Sequence, residues 1–78
     1  MKIYIVNCTF NISQTLIDCA FRKEADAEAY INALNEDKAK AIARCKELIA
    51  LREGEDMVPY LVEESAVGFG IVAVELNV

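Results

Sequence analysis

The serines and cysteines are the candidate nucleophiles of this sequence: Ser13, Ser65, Cys8, Cys19 and Cys45. A nucleophile needs a base to take its proton and a third group to orient that base. The chain has no histidine, the side chain that most often fills this role near neutral pH. Lys23 or Lys46 could replace it only in surroundings that strip their charge. Serine or cysteine hydrolysis is therefore not expected. Carboxylates are plentiful: Glu63 beside Glu64, and the acidic stretch of Glu53, Glu55 and Asp56. General acid–base catalysis needs two carboxylates of different pKa sharing one cleft. On a strand, Glu63 and Glu64 would point to opposite faces and would serve better as charge guarding an edge. No catalytic residue is assigned.

Metal chemistry has as little support. Three thiols without histidine fall short of the four ligands that zinc usually takes, and the twelve-position ligand pattern of a calcium loop is absent. Cys8 and Cys19 can face each other across a hairpin, so a disulfide between them is the alternative to three reduced thiols packed as small apolar residues. An odd count without CxxC spacing favours reduced thiols in the cytoplasm over a secreted disulfide scaffold. Gly68-Phe69-Gly70 is a lone GxG that runs into a strand rather than a helix. It is expected to be a hairpin connection, not a phosphate cradle. No metal or cofactor is expected.

Charge gives a clearer signal. Eight Lys and Arg against thirteen Asp and Glu give a net −5, the wrong sign for direct nucleic-acid binding or for docking on an anionic membrane. The charge is unevenly placed. From Glu53 onward there are six acids (Glu53, Glu55, Asp56, Glu63, Glu64, Glu75) and no base. Either these solubilise an apolar sheet, or they engage a basic partner. Phe69, at the tip of its loop, joins these acids as a candidate contact residue.

These residues have to be positioned by a short chain. At 78 residues one small domain is expected, with a core that supplies only about 3–5 kcal/mol. No stretch approaches about 18 apolar residues, so no membrane span is expected. The N-terminal apolar run is too short for a signal peptide. Residues 2–10 read as a strand, apolar on both faces, and 15–21 as a second, joined by a turn at 11–14. From Glu24 the period becomes about 3.6, and Ala27, Ile31, Leu34, Lys38, Ala41, Cys45, Leu48 and Arg52 form a stripe. Gly54 is a natural stop. The weak point is 35–38. Either two helices meet there or one helix of about 43 Å, straight or bent, runs through. The preserved phase favours one. Residues 60–64 read as a third strand, 65–70 as a loop and 71–78 as a fourth strand. The expected fold is α+β, ββαββ: a four-stranded antiparallel sheet packed against one long helix.

The opening Met1-Lys2-Ile3-Tyr4-Ile5-Val6, and Phe21 leading into Ala27-Glu28-Ala29-Tyr30-Ile31, resemble small phage- and prophage-encoded α+β proteins. In size, acidity and lack of catalytic residues the chain is similar to anti-CRISPR proteins. That resemblance implies a non-enzymatic inhibitor in the host cytoplasm that occludes a basic site on a nucleoprotein or defence complex. A self-associating assembly domain and a small-molecule sensor are the alternatives. A homodimer is expected, because one helix cannot cover both faces of an apolar sheet. The expected contact is the overhanging end of the helix, with Ile42, Cys45, Leu48 and Ile49 in heptad-like register, together with the adjacent sheet edge, because Glu63, Glu64 and Glu75 would obstruct a full sheet-to-sheet contact.

Overall fold

The structure is a computed structural model that describes residues 1–77. Two strands open the chain, β1 (Lys2–Asn11) and β2 (Gln14–Phe21), paired antiparallel. The turn between them is set by Asn11. Its Oδ1 accepts from the Ser13 backbone N–H at 3.0 Å, and its Nδ2 donates to Gln14 Oε1 at 2.9 Å. This is the local side-chain-to-backbone bonding that favours Asn in turns. The register shifts twice inside the hairpin, between Thr9 and Asn11 next to the turn and between Val6 and Asn7. Val6 lies opposite Cys19 and Asn7 opposite Ile17, so Asp18 is an extra residue, a β-bulge.

Two helices follow, not one: α1 (Glu24–Glu36) and α2 (Lys38–Glu53). The long-helix expectation fails at a single residue. Asp37 is extended, at φ −127° and ψ 96°, and its side chain accepts from the Lys40 N–H. Asp is a strong N-cap because its short carboxylate satisfies a free helix N–H. Lys38, in the stripe by phase, stays exposed and donates its ammonium to the Val67 carbonyl at 2.7 Å. At 16 residues α2 is about 24 Å long, close to the eight-residue strands at about 26 Å. The expected overhang does not exist.

Gly54 ends α2 at φ 98°, and a Cβ there would stand 2.9 Å from Asp56 Oδ1. The next segment corrects the expectation again. Residues 60–64 are not a strand. A 3-10 turn (Glu55–Met57) leads into the short helix α3 (Val58–Leu61), and a second 3-10 turn (Glu64–Ala66) follows. Pro59 is accommodated at the start of a helix, where its missing N–H costs nothing. Val58 and Leu61, three apart, both pack on the core, while Tyr60 between them is exposed.

The last strand, β3 (Gly68–Glu75), starts earlier than expected and takes up the whole GxG. It pairs not with a neighbouring hairpin strand but with the free edge of β1, in unbroken register from Thr9↔Gly68 to Lys2↔Glu75. The sheet therefore has three strands, not four, in the order β2-β1-β3. Val78, placed in a fourth strand by the sequence, lies outside the described residues. Both helices pack on one face of the sheet. Val6, Cys8 and Phe10 of β1 and Phe69 of β3 meet Ala27 of α1 and Ala41, Cys45, Leu48 and Ile49 of α2.

Candidate functional site

The bulge places a carboxylate where an apolar side chain would otherwise sit. The Asp18 side chain has no exposed surface. Its Oδ1 accepts from Arg44 Nη2 at 2.6 Å and its Oδ2 from the Tyr30 hydroxyl at 2.5 Å. Arg44 also reaches Glu47 at 2.6 Å. One carboxylate on β2 thus ties α1 and α2 to the sheet. Tyr30 packs its ring 5.6 Å from that of Phe21. Burial, and then the Asp18 carboxylate, push its hydroxyl up to about 12. The Asp18 bond also holds the Arg44 guanidinium further above its ordinary range.

The thiols surround this cluster. Cys8 and Cys45 are buried and Cys19 is half-buried, all three free. Cys8 does not face Cys19: the tight turn closed by Asn11 and Gln14 sets Cys8 opposite Leu16, and Cys19 lies opposite Val6. Its thiol instead shares the core with that of Cys45 and donates to the Thr9 carbonyl at 3.7 Å. Burial is the first cause that raises all three above the usual thiol range. A reactive cysteine needs the opposite shift. Ser13 lines an open cleft of about 500 Å³ between the hairpin turn and the end of α2, with Gln14, Thr15, Arg52 and Glu53. Arg52 is already engaged with the Ile17 carbonyl at 2.6 Å. Among the described residues no group of three or more His, Cys, Asp or Glu could hold a metal ion, and no helix is long and apolar enough to cross a membrane.

The residues singled out in the sequence are only partly brought together. Glu53, Glu55, Asp56, Glu63 and Glu64 all belong to the corner where α2, the two 3-10 turns and α3 meet, and all are exposed. Glu64 pairs with Lys46 at 3.1 Å. Glu63 is extended, its N–H bound to the Phe10 carbonyl at 2.7 Å. Glu75 sits at the other end of β1, paired with the N-terminal amine at 3.1 Å. Phe69 is buried against Cys8 and offers no contact surface. Of the expected dimer strip, Cys45, Leu48 and Ile49 are in the chain's own core, and Ile42 is half-buried against it.

Two surfaces remain, of which the first escaped the sequence reading and the second was expected as the sheet face that a helix leaves uncovered. The first consists of apolar side chains in the acidic corner: Leu51 is 78% exposed, Tyr60 82% and Met57 38%. The Val58–Leu61 spacing of three, with Pro59 in the first turn, was the signal for a helix that turns Tyr60 outward. The second surface is the open face of the sheet. Side chains alternate across a strand, so burial of Val6, Cys8 and Phe10 under the helices turns Ile3, Ile5, Asn7 and Thr9 the other way. Their partners share that face: Thr15, Ile17 and Ala20 of β2, and Gly68, Gly70, Val72 and Val74 of β3. None of these eleven is charged, although 27% of the chain is.

Charge is segregated by layer as a result. The sheet segments, 1–23 and 68–78, hold Lys2, Arg22 and Lys23 against Asp18 and Glu75, a net +1. Residues 24–67 hold eleven acids against five bases. No protein family, no curated protein and no solved structure matches the chain.

Proposed function

We propose that the chain is a non-enzymatic, cytoplasmic protein-binding module that docks its acidic corner on a basic protein surface. The observation that carries this reading is the exposure of Tyr60 and Leu51, at 82% and 78%, among Glu53, Glu55, Asp56 and Glu63. None of these four acids has an ion pair among the described residues. Exposed aromatic and aliphatic side chains anchor interfaces when they enter a partner's pocket, and surrounding contacts exclude water. Acids at the rim steer the encounter with a basic surface. A groove built for nucleic acid is such a surface. An acidic module seated on it occludes it, which is the act expected of a phage-type inhibitor of a host defence complex.

The experiment uses the immobilised chain and purified host nucleoprotein complexes. Binding is expected to weaken at least tenfold with Tyr60→Ser, a loss of about 1.4 kcal/mol. Reversing Glu55 and Glu63 to Lys should slow association and flatten its salt dependence. Equal binding by wild type and all variants across a salt series would remove the corner from the interface.

A further inference from the structure

We infer that the open face of the sheet is the contact with a second copy of this chain, in a face-to-face dimer. Its large exposed members are apolar: Ile17 is 52% and Val72 50% exposed, and the partly buried Ile3, Ile5 and Val74 extend the patch, with exposed Thr15 at its edge. Gly68 adds no side chain and leaves open space beside the ridges, while the Asn7 carboxamide lies over Gly70. Three strands at about 4.8 Å spacing and some 26 Å of length give a face of roughly 14 by 26 Å.

Charge selects the occupant. A basic partner would be drawn to the acidic helices, not to a face whose eleven residues carry no charge. Two copies at −5 each repel wherever their acids meet. The sheet layer, at net +1, is the side on which they do not. Sheets stacked about 10 Å apart leave the two helical layers on the outside, roughly 30 Å from one another. That is about three Debye lengths at 0.1 M salt. The contact is isologous, so one patch serves both copies. Of the three acids expected to obstruct a sheet contact, Glu63 and Glu64 are not on the sheet, and Glu75, at the end of β3, lies opposite Lys2, out of step with the Ile3–Val74 pair of the open face. This inference stands apart from the reading of the Tyr60 corner.

Sedimentation equilibrium of the full chain tests it. At about 100 µM, suited to a small interface, wild type should show twice the 8.7 kDa chain mass. Val72→Lys and Ile17→Lys should each give the single-chain mass with an unchanged circular dichroism spectrum. Tyr60→Ser should remain dimeric, which separates this face from the acidic corner. A wild type of 8.7 kDa at that concentration overturns the inference. So do folded lysine variants that stay dimeric, since the contact then lies elsewhere, for example along the β3 edge. Should a lysine variant unfold, dilution of wild type gives the same answer. The Ile17 and Val72 methyl resonances should move with concentration, and resonances that stay fixed overturn the inference.

Discussion

Replacing Asp18 by Ala is expected to lower the melting temperature by roughly 12–24 °C. The carboxylate is fully enclosed and binds two elements at once, through Arg44 and Tyr30. Removing one partner of a buried pair strands the other charge, at about 3–5 kcal/mol. Arg44 is 31% exposed and keeps Glu47, which places the cost at the lower end, about 3 kcal/mol. A chain of this length has in total only some 4–12 kcal/mol of stability. Asp18→Ala combined with Arg44→Met should recover part of the loss, because the stranded charge goes as well. A thermal scan in which Asp18→Ala melts within about 2 °C of wild type would show that the cluster contributes no net stability.

Stability should also fall steadily above pH 9. Unfolded thiols titrate near 9.0 and unfolded tyrosine near 10.0. In the folded chain burial raises Cys8, Cys19 and Cys45, and burial with Asp18 raises Tyr30 to about 12. Between these limits the unfolded chain has lost protons that the folded chain still holds. Deprotonation then draws the equilibrium toward the unfolded state. The contribution is complete below pH 9 and is lost as pH rises toward 12. Urea midpoints measured from pH 7 to 11 should be level at first and then decline. Tyr30→Phe should start lower, since Asp18 loses a donor, but decline less steeply above pH 10. Midpoints for wild type that hold level through pH 11 would contradict the buried environment of these groups.

Much of this architecture is written in local chemistry. The hairpin turn is legible because Asn11 and Ser13 bond their own backbone, and the stop at Gly54 because only glycine takes φ 98° without strain. The doubly apolar β1 announces a strand with neighbours on both sides. The helix break is less visible. One extended residue at Asp37 leaves the stripe nearly in phase, so periodicity alone reads through it. The bulge did leave a trace. Leu16 and Cys19 both pack inward, and a spacing of three on one strand face requires an extra residue between them. The segment 58–62 is too short for alternation to be told from a turn of helix. Pairing of β3 with β1 is a non-local choice. It is decided by which strand offers a free edge, and neighbouring residues do not encode it. The acids of the candidate site were legible as a charge imbalance. An uncovered apolar sheet face was legible in the doubly apolar β1, but the exposure of Tyr60 was not, because it depends on a helical turn that points the side chain outward.

The assignment of one side of the molecule to a second copy and the other to a different partner meets its most direct test in methyl resonances. A soluble nitroxide added to the concentrated chain broadens every methyl group that water reaches. The Leu51 and Met57 methyls should be bleached, as residues of an open corner, while those of Ile17 and Val72 should stay sharp although each is half exposed in the single chain. Ile17 and Val72 methyls bleached as strongly as Leu51 would show the sheet face open to water and contradict the account.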